Sequence, residues 1–224
     1  MIFEKKNISS VLKIAISEKE DGEMNISSFK NIQAFLQRSG MGQDFCDMAQ
    51  YHGKKIVDAK KNSRGEGDGL VTKDHAVLIV RVADCLPVVL FDPQKEILML
   101  LHCGYKGIRD GILEEAIETL KRRDSSLSAV FVFLGPGICK NCYEVNRDRY
   151  IEFKVKQPSA SFATNNRYFI DIRKAVTDTL ITHGILASNM KQLERCTKED
   201  AAFFSYRNGD IEERFVVAAQ IQHV

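Results

Sequence analysis

The run AVLIVRVADCLPVVLFDPQKEILMLLHCGY, residues 76 to 105, holds three short blocks dominated by Val, Ile and Leu. Near-continuous aliphatic runs of this length, without apolar and polar alternation, are the pattern of strands buried on both faces. AVLIVRVADC, LPVVLFD and ILMLLHCGY are therefore read as three neighbouring strands, broken by Pro87 and by the Asp92-Pro93 turn. Downstream, Leu113, Ala116, Ile117 and Leu120 recur at one-face helical spacing, which predicts an amphipathic helix with Asp110 as its cap. AVFVFLG (129 to 135) reads as another buried strand. A second helix is expected from Asp171 to about His183, with Ile172, Ala175, Val176 and Leu180 inward and Gly184 closing it. ERFVVAAQI supplies a last strand. Upstream, a strand over Val11 to Ser17 precedes a helix from about Ser28 to Ser39, whose inward face is Ile32, Phe35 and Leu36 and whose end is marked by Gly40. Residues 60 to 69, KKNSRGEGDG, read as an exposed polar loop. Strands interleaved with helices mean a layered α/β (α+β) protein. The adjacent strands with short turns make its sheet mixed rather than purely parallel.

The chain has 224 residues, which favours a single domain over two small ones. Its 44% hydrophobic and 28% charged content is that of ordinary globular proteins. The net charge of +2 is too near neutral to advertise a nucleic-acid or membrane surface. The N-terminal segment is charged throughout and lacks the apolar stretch of a signal peptide, and no stretch approaches a membrane span. A cytoplasmic location follows as the expectation, and with it six cysteines that are free thiols or metal-bound thiolates. Nothing in the sequence specifies an oligomeric state.

Catalytic zinc sites keep three protein ligands and one open position. His52 in AQYHGKK, Cys85 in RVADCLP and His102 in LLHCGYKG each stand where an apolar strand hands over to a loop, beside a small or turn-forming residue. Their spacing matches no local metal motif. Taken singly, a buried Cys is more often an inert small hydrophobe and a strand-end His a satisfied polar residue.

Several blocks, taken together, carry a resemblance. RVADCLPVVLFDP, LHCGYKGIRDGI, LGPGICKNCYEV and RCT followed by FFSYR, with GDGLVT and QYHG upstream, occur in the order and approximate separation of the YfiH-like family, long labelled multicopper polyphenol oxidases or laccase-like proteins. The resemblance spans roughly residues 45 to 221. It implies a two-sheet α/β sandwich flanked by helices, and one zinc per chain held by His52, Cys85 and His102. It also implies phosphorolysis of adenosine, inosine and methylthioadenosine and deamination of adenosine, with purine nucleoside and phosphate as partners. Related bacterial members are credited with editing peptidoglycan precursors.

True laccase chemistry is excluded by count, because a trinuclear copper cluster is built almost wholly from imidazoles. The chain has five histidines and no His-X-His pair. A zinc with an open position lowers the pKa of water to about 7, as attack at C6 of adenine requires, and can position phosphate. A proton shuttle is also needed, and the family-like carboxylates are Asp68, Asp84 and Glu144. On a regular strand Asp84 and Cys85 face opposite ways, which makes Asp84 a supporting residue and Glu144 the better shuttle. Arg207, in FFSYRNGD, offers a fork of donors for phosphate. Cys139 and Cys142 form a CxxC pair, read as pocket wall, and His75 and His183 as structural. The chain departs from the family at Cys103, Tyr105 and Lys106, where relatives usually have Ala, Trp and Arg, and at Ile32, where they have an arginine that helps hold the nucleoside. Lys30 and Arg38 are the nearest substitutes. Two other readings are a cysteine hydrolase acting on amides, with Cys85 activated by His102, and a non-catalytic nucleoside-binding member.

Overall fold

Alternation along each strand decides which layer a residue joins. The computed structural model describes residues 1–6, 10–60 and 64–223, so residues 61–63 of the expected polar loop lie outside the described residues. The first strands are β1 (Ile2–Lys6), β2 (Ser10–Ile16), β3 (Phe45–Ala49), β4 (Ile56–Asp58), β5 (Arg64–Glu66) and β6 (Gly69–Thr72), with helix α1 (Phe29–Arg38) after β2. The aliphatic run folds into β7 (Val77–Val82), β8 (Leu86–Asp92) and β9 (Ile97–Cys103), followed by α2 (Tyr105–Asp110) and α3 (Ile112–Lys121). Then come β10 (Phe131–Leu134), β11 (Glu144–Val145), α4 (Arg147–Lys156), β12 (Ser161–Thr164), β13 (Arg167–Ile170), α5 (Ile172–Thr182), β14 (Met190–Gln192) and β15 (Phe215–His223).

Two six-stranded sheets form, in the orders β1-β2-β15-β7-β3-β5 and β14-β10-β8-β9-β6-β4, with a small third sheet β11-β13-β12. Both large sheets are mixed: β8 pairs with β9 and β10 antiparallel, whereas β10 with β14 and β3 with β7 are parallel. On β8, Val89 and Phe91 face the first sheet and meet Leu78, Val80 and Val217, while Val88 and Leu90 face the other way and pack with Leu113, Ile117 and Val176 of α3 and α5. On β7, Val77 and Ile79 turn outward against Ile32, Phe35 and Leu36 of α1. The layers run α1, sheet, sheet, then α3 and α5. Because every strand of the run is covered on both sides, its sequence is apolar throughout rather than alternating.

Some boundaries differ from the sequence reading. Pro87 does not break the run; it is the second residue of β8, opposite His102, and the break falls at the turn 83–85. Asp110 does not cap α3 but ends α2, pairing with Arg109 at 2.7 Å, while Gly111 in a left-handed conformation (φ 97°) separates the two helices. Helix α4 escapes the periodicity test because only Tyr150 and Phe153 of RDRYIEFKVK are buried, too thin a stripe to register. Asp171 caps α5 as expected, its side chain accepting from the Lys174 amide at 2.9 Å. Among the described residues no helix is long and apolar enough to cross a membrane.

Candidate metal centre and its cleft

Three loops end at one place. His52 follows β3 by three residues, Cys85 immediately precedes β8, and His102 is the penultimate residue of β9. One ligand atom from each lies within 4.8 Å of the other two, and the imidazole centroids of His52 and His102 are 4.8 Å apart at 69°. The trio grades from solvent to interior: His52 is exposed, Cys85 half-buried and His102 buried.

Asp68, fully buried ahead of β6, organises this corner. Its carboxylate takes His102 Nδ1 at 2.8 Å and the backbone amides of His52 and Gly53 at 3.0 and 2.7 Å, and its own carbonyl accepts from the His102 amide at 2.8 Å. Burial alone would raise its pKa, but the hydrogen bond and charge of His102, with the two amides, hold it below the usual carboxylate value. An ionised carboxylate can only accept, so His102 Nδ1 is the donor and Nε2 remains for a ligand. One buried group therefore sets both an imidazole's orientation and the turn that carries the other histidine.

The chemistry of the trio is coupled. Burial pushes the Cys85 thiol up, yet the charge and hydrogen bonds of His102 and His52 bring it down to about 6. Burial pushes His102 down, and Cys85 with Asp68 raises it to about 9. By contrast Cys103, buried beneath the helices, has its thiol pushed well up and is an inert core residue.

Backbone conformation is unusual on both sides of the centre. His52 and Asp84 have φ of 64° and 86°, a region that side chains other than glycine seldom adopt. Asp84 sits in the turn before Cys85, so opposite faces of a strand do not apply. Its supporting role stands on other contacts: its carboxylate accepts from Thr197 Oγ1 at 2.7 Å and the Arg207 amide at 2.8 Å. Gly104, after β9, comes so close that a Cβ there would lie 3.0 Å from both Cys85 Sγ and His52 Cδ2. A side chain at position 104 would therefore press on two of the three donors, which would have to shift by a few tenths of an ångström.

A cleft of about 400 Å³ opens above the trio. Five cations, Arg81, Lys106, Arg149, Arg207 and Arg214, line it together with Tyr105, Tyr143 and Tyr206. The guanidinium of Arg149 lies 4.2 Å over the Tyr105 ring and that of Arg207 lies 4.9 Å over Tyr143, so ring faces and charges are held together. Such a lining suits a planar aromatic molecule and an anion. Arg81 shows how sequence reading passed over part of it: a lone cation in the apolar run, held by Asp47 at 2.8 Å and the Met24 carbonyl at 3.0 Å. Its charge in a strand otherwise made of Val, Leu and Ile was the available signal. Arg149, Tyr206 and Arg214 carried none.

Glu144 is not in the lining; its exposed carboxylate grips Arg167 at 3.0 and 2.6 Å, and its backbone carbonyl holds Arg207 Nη1 at 2.7 Å. Ile32 is completely buried under the first sheet, and neither Lys30 nor Arg38, which pairs with Asp21, lines the cleft. From the CxxC segment the cleft takes Ile138 and Tyr143, while the sulfurs of Cys139 and Cys142 meet Cys196 and Glu199 instead. His75 binds the Ile221 carbonyl at 3.1 Å and His183 the Thr179 carbonyl at 2.8 Å, both structural. The five imidazoles fall into the His52–His102 pair, a second pair of His75 and His223 with centroids 4.2 Å apart, and His183, so no trinuclear copper ligand set exists among the described residues.

Comparison with known proteins agrees with this architecture. The profile of the family described as multi-copper polyphenol oxidoreductase laccase matches residues 15–220. A purine nucleoside phosphorylase of Campylobacter jejuni is 32% identical over 173 residues, 75% of this chain and 74% of that one. An adenosine deaminase, RL5, from an unknown prokaryotic organism is 31% identical over 163 residues, and that match takes in 67% of this chain but only 60% of the deaminase. The crystal structure of Bacillus licheniformis YfiH superposes with a TM-score of 0.83 at 19% identity, covering 96% of this chain and 97% of that one, and so shows the shared fold. The YlmD structure from Geobacillus stearothermophilus gives 0.81 at 22% identity, covering 96% and 92%.

Proposed function

The chain belongs to the multi-copper polyphenol oxidoreductase laccase family in its YfiH-like form, and from that premise we propose that it is a zinc-dependent purine nucleoside phosphorylase that also deaminates adenosine. The observation that carries the reading is the convergence of His52, Cys85 and His102 at the foot of a cleft lined by arginines and tyrosines. Two imidazoles and a thiolate are a donor set that zinc accepts, with the carboxylate of Asp68 behind one imidazole in the usual supporting position. When bound, the ion supplies Lewis acidity and a lowered pKa for water at neutral pH.

The chain's own residues do the rest. The rings of Tyr105, Tyr143 and Tyr206 offer faces for the purine, and burial keeps the Tyr143 phenol protonated and able to donate. Arg207, held by the Glu144 carbonyl, and Arg149 present guanidinium groups to phosphate. In phosphorolysis a phosphate oxygen bonds to the ribose C1′ as the bond to N9 breaks, and the purine leaves with a proton. In deamination water adds at C6 and ammonia departs. Asp68 is a positioning residue in both, and Glu144 acts through its backbone rather than as a proton shuttle. A reducing, cytoplasmic location fits six free cysteines.

Incubation with adenosine and phosphate, followed by chromatography, tests the reading: adenine and inosine are expected from wild type and neither from Cys85→Ser. Binding of adenosine without either product would instead support a nucleoside-binding role. One observation favours a second reading. Cys85, His102 and Asp68 also follow the order nucleophile, base and orienting carboxylate, with the thiol already lowered to about 6. Amide hydrolysis that survives exhaustive chelation and is abolished by thiol alkylation would establish it.

A further inference from the structure

Two turns meet behind the cleft wall. In the first, Cys139 to Cys142, the amides of Cys142 and Tyr143 both donate to the Cys139 carbonyl at 3.0 Å. In the second, Cys196 to Glu199, the amides of Glu199 and Asp200 donate to the Cys196 carbonyl at 3.1 and 2.9 Å. A parallel bridge between Gly137 and Cys196 joins them, and the Cys139 amide donates to Cys196 Sγ at 3.3 Å. As a result the sulfurs of Cys139, Cys142 and Cys196 and a carboxylate oxygen of Glu199 all lie within 4.8 Å of one another. The Glu199 carboxylate takes Cys142 Sγ at 3.4 Å and Cys139 Sγ at 3.8 Å.

Core packing accounts for little of this grouping: Cys142 touches the edge of the core under α3 and α5, but the three thiols are only half-buried and Glu199 is exposed. We propose that it is a second metal site, separate from the His52, Cys85 and His102 centre, which takes a zinc-like divalent cation through three thiolates and one carboxylate. Zinc–sulfur bonds of about 2.3 Å in a tetrahedron place sulfurs roughly 3.8 Å apart, so small side-chain rotations close the site. Each thiol releases its proton to solvent as it binds. The Cys196 sulfur already accepts from an amide, and Arg173, electrostatically coupled to Cys139 and Cys196, has a buried Nη1 without a hydrogen-bond partner among the described residues; burial pushes the Cys139 and Cys142 thiols up, a cost that the charge of the cation offsets. A disulfide within the group would use two sulfurs, need an oxidant, and leave the third thiol and the carboxylate without a role.

The ion would act as a clamp. The first turn lies between Ile138 and Tyr143 of the cleft, and the second carries Thr197, whose hydroxyl holds Asp84 beside Cys85. Linking the turns fixes one wall of the cleft against the loop that supplies a ligand of the other centre.

The proposal stands apart from the nucleoside reading and is tested by counting. Protein purified with reductant and without chelator is analysed for metal, as wild type and as Cys142→Ser, Glu199→Gln, Cys85→Ser and His52→Ala. The result expected is one equivalent retained by Cys85→Ser and by His52→Ala, lost from the further variant Cys85→Ser/Cys142→Ser, and held more weakly by Glu199→Gln. Cobalt loaded into Cys85→Ser should show the strong thiolate charge-transfer band of a three-sulfur site. Metal-free Cys85→Ser and His52→Ala proteins that are folded by circular dichroism would overturn the proposal. So would a disulfide among Cys139, Cys142 and Cys196 in a non-reducing peptide map of freshly purified wild type.

Discussion

Asp68 carries more of the centre than its place in GDGLVT suggests. Asp68→Asn keeps the size but can no longer act solely as an acceptor for His102 and the amides of His52 and Gly53. Zinc affinity is expected to fall by about 10- to 100-fold, the usual effect of losing such a supporting group, and a competition titration against a chromophoric chelator measures it. Unchanged affinity would mean that the ligands hold their geometry without Asp68. Gly104→Ala is expected to cost the centre its ion by crowding Cys85 and His52, while circular dichroism stays that of wild type. Full zinc occupancy in that variant would show that the neighbours yield. Resemblance made His52, Cys85 and His102 legible because each sits in a distinctive block. Asp68 was legible only as a carboxylate, since its bonds are to backbone groups brought near by folding. For Glu144, sequence places the residue beside the cleft but cannot show that its carboxylate pairs with Arg167.

At the scale of elements, composition was enough wherever a strand is covered on both faces or a helix buries a broad stripe. β7 to β10, β15, α1, α3 and α5 all appear within a few residues of where their apolar residues put them. Elements with few buried residues were invisible, among them α4 and the third sheet, and the turn at 83–85 was hidden because Pro87 drew attention to itself. α3 illustrates what the visible elements contribute. Ile117 is completely buried between α3 and the second sheet, so Ile117→Ala is expected to cost about 2–5 kcal/mol in chemical denaturation. Its zinc content should not change, because the helix packs on the face of the sheet opposite the first sheet and supplies no ligand. A destabilised protein that also loses zinc would link the centre to helix packing.

On the scale of the whole molecule, two sheets stacked face to face place strand ends from both sheets at one edge, so that β3 of the first and β8 and β9 of the second deliver the three donors. Long-range pairing of this kind, with Asp68 tying β6 to β9 and to the loop after β3, makes the centre a product of the complete fold. The most direct test is reversible metal dependence of adenosine phosphorolysis. Protein stripped by exhaustive chelation and then given zinc in stoichiometric steps is assayed at each step for adenine released in the presence of phosphate. The result expected is loss of activity on stripping and its recovery in proportion to zinc bound at the His52, Cys85 and His102 centre. Full activity in stripped protein, or none in protein whose centre is loaded, would contradict a nucleoside chemistry built on that ion.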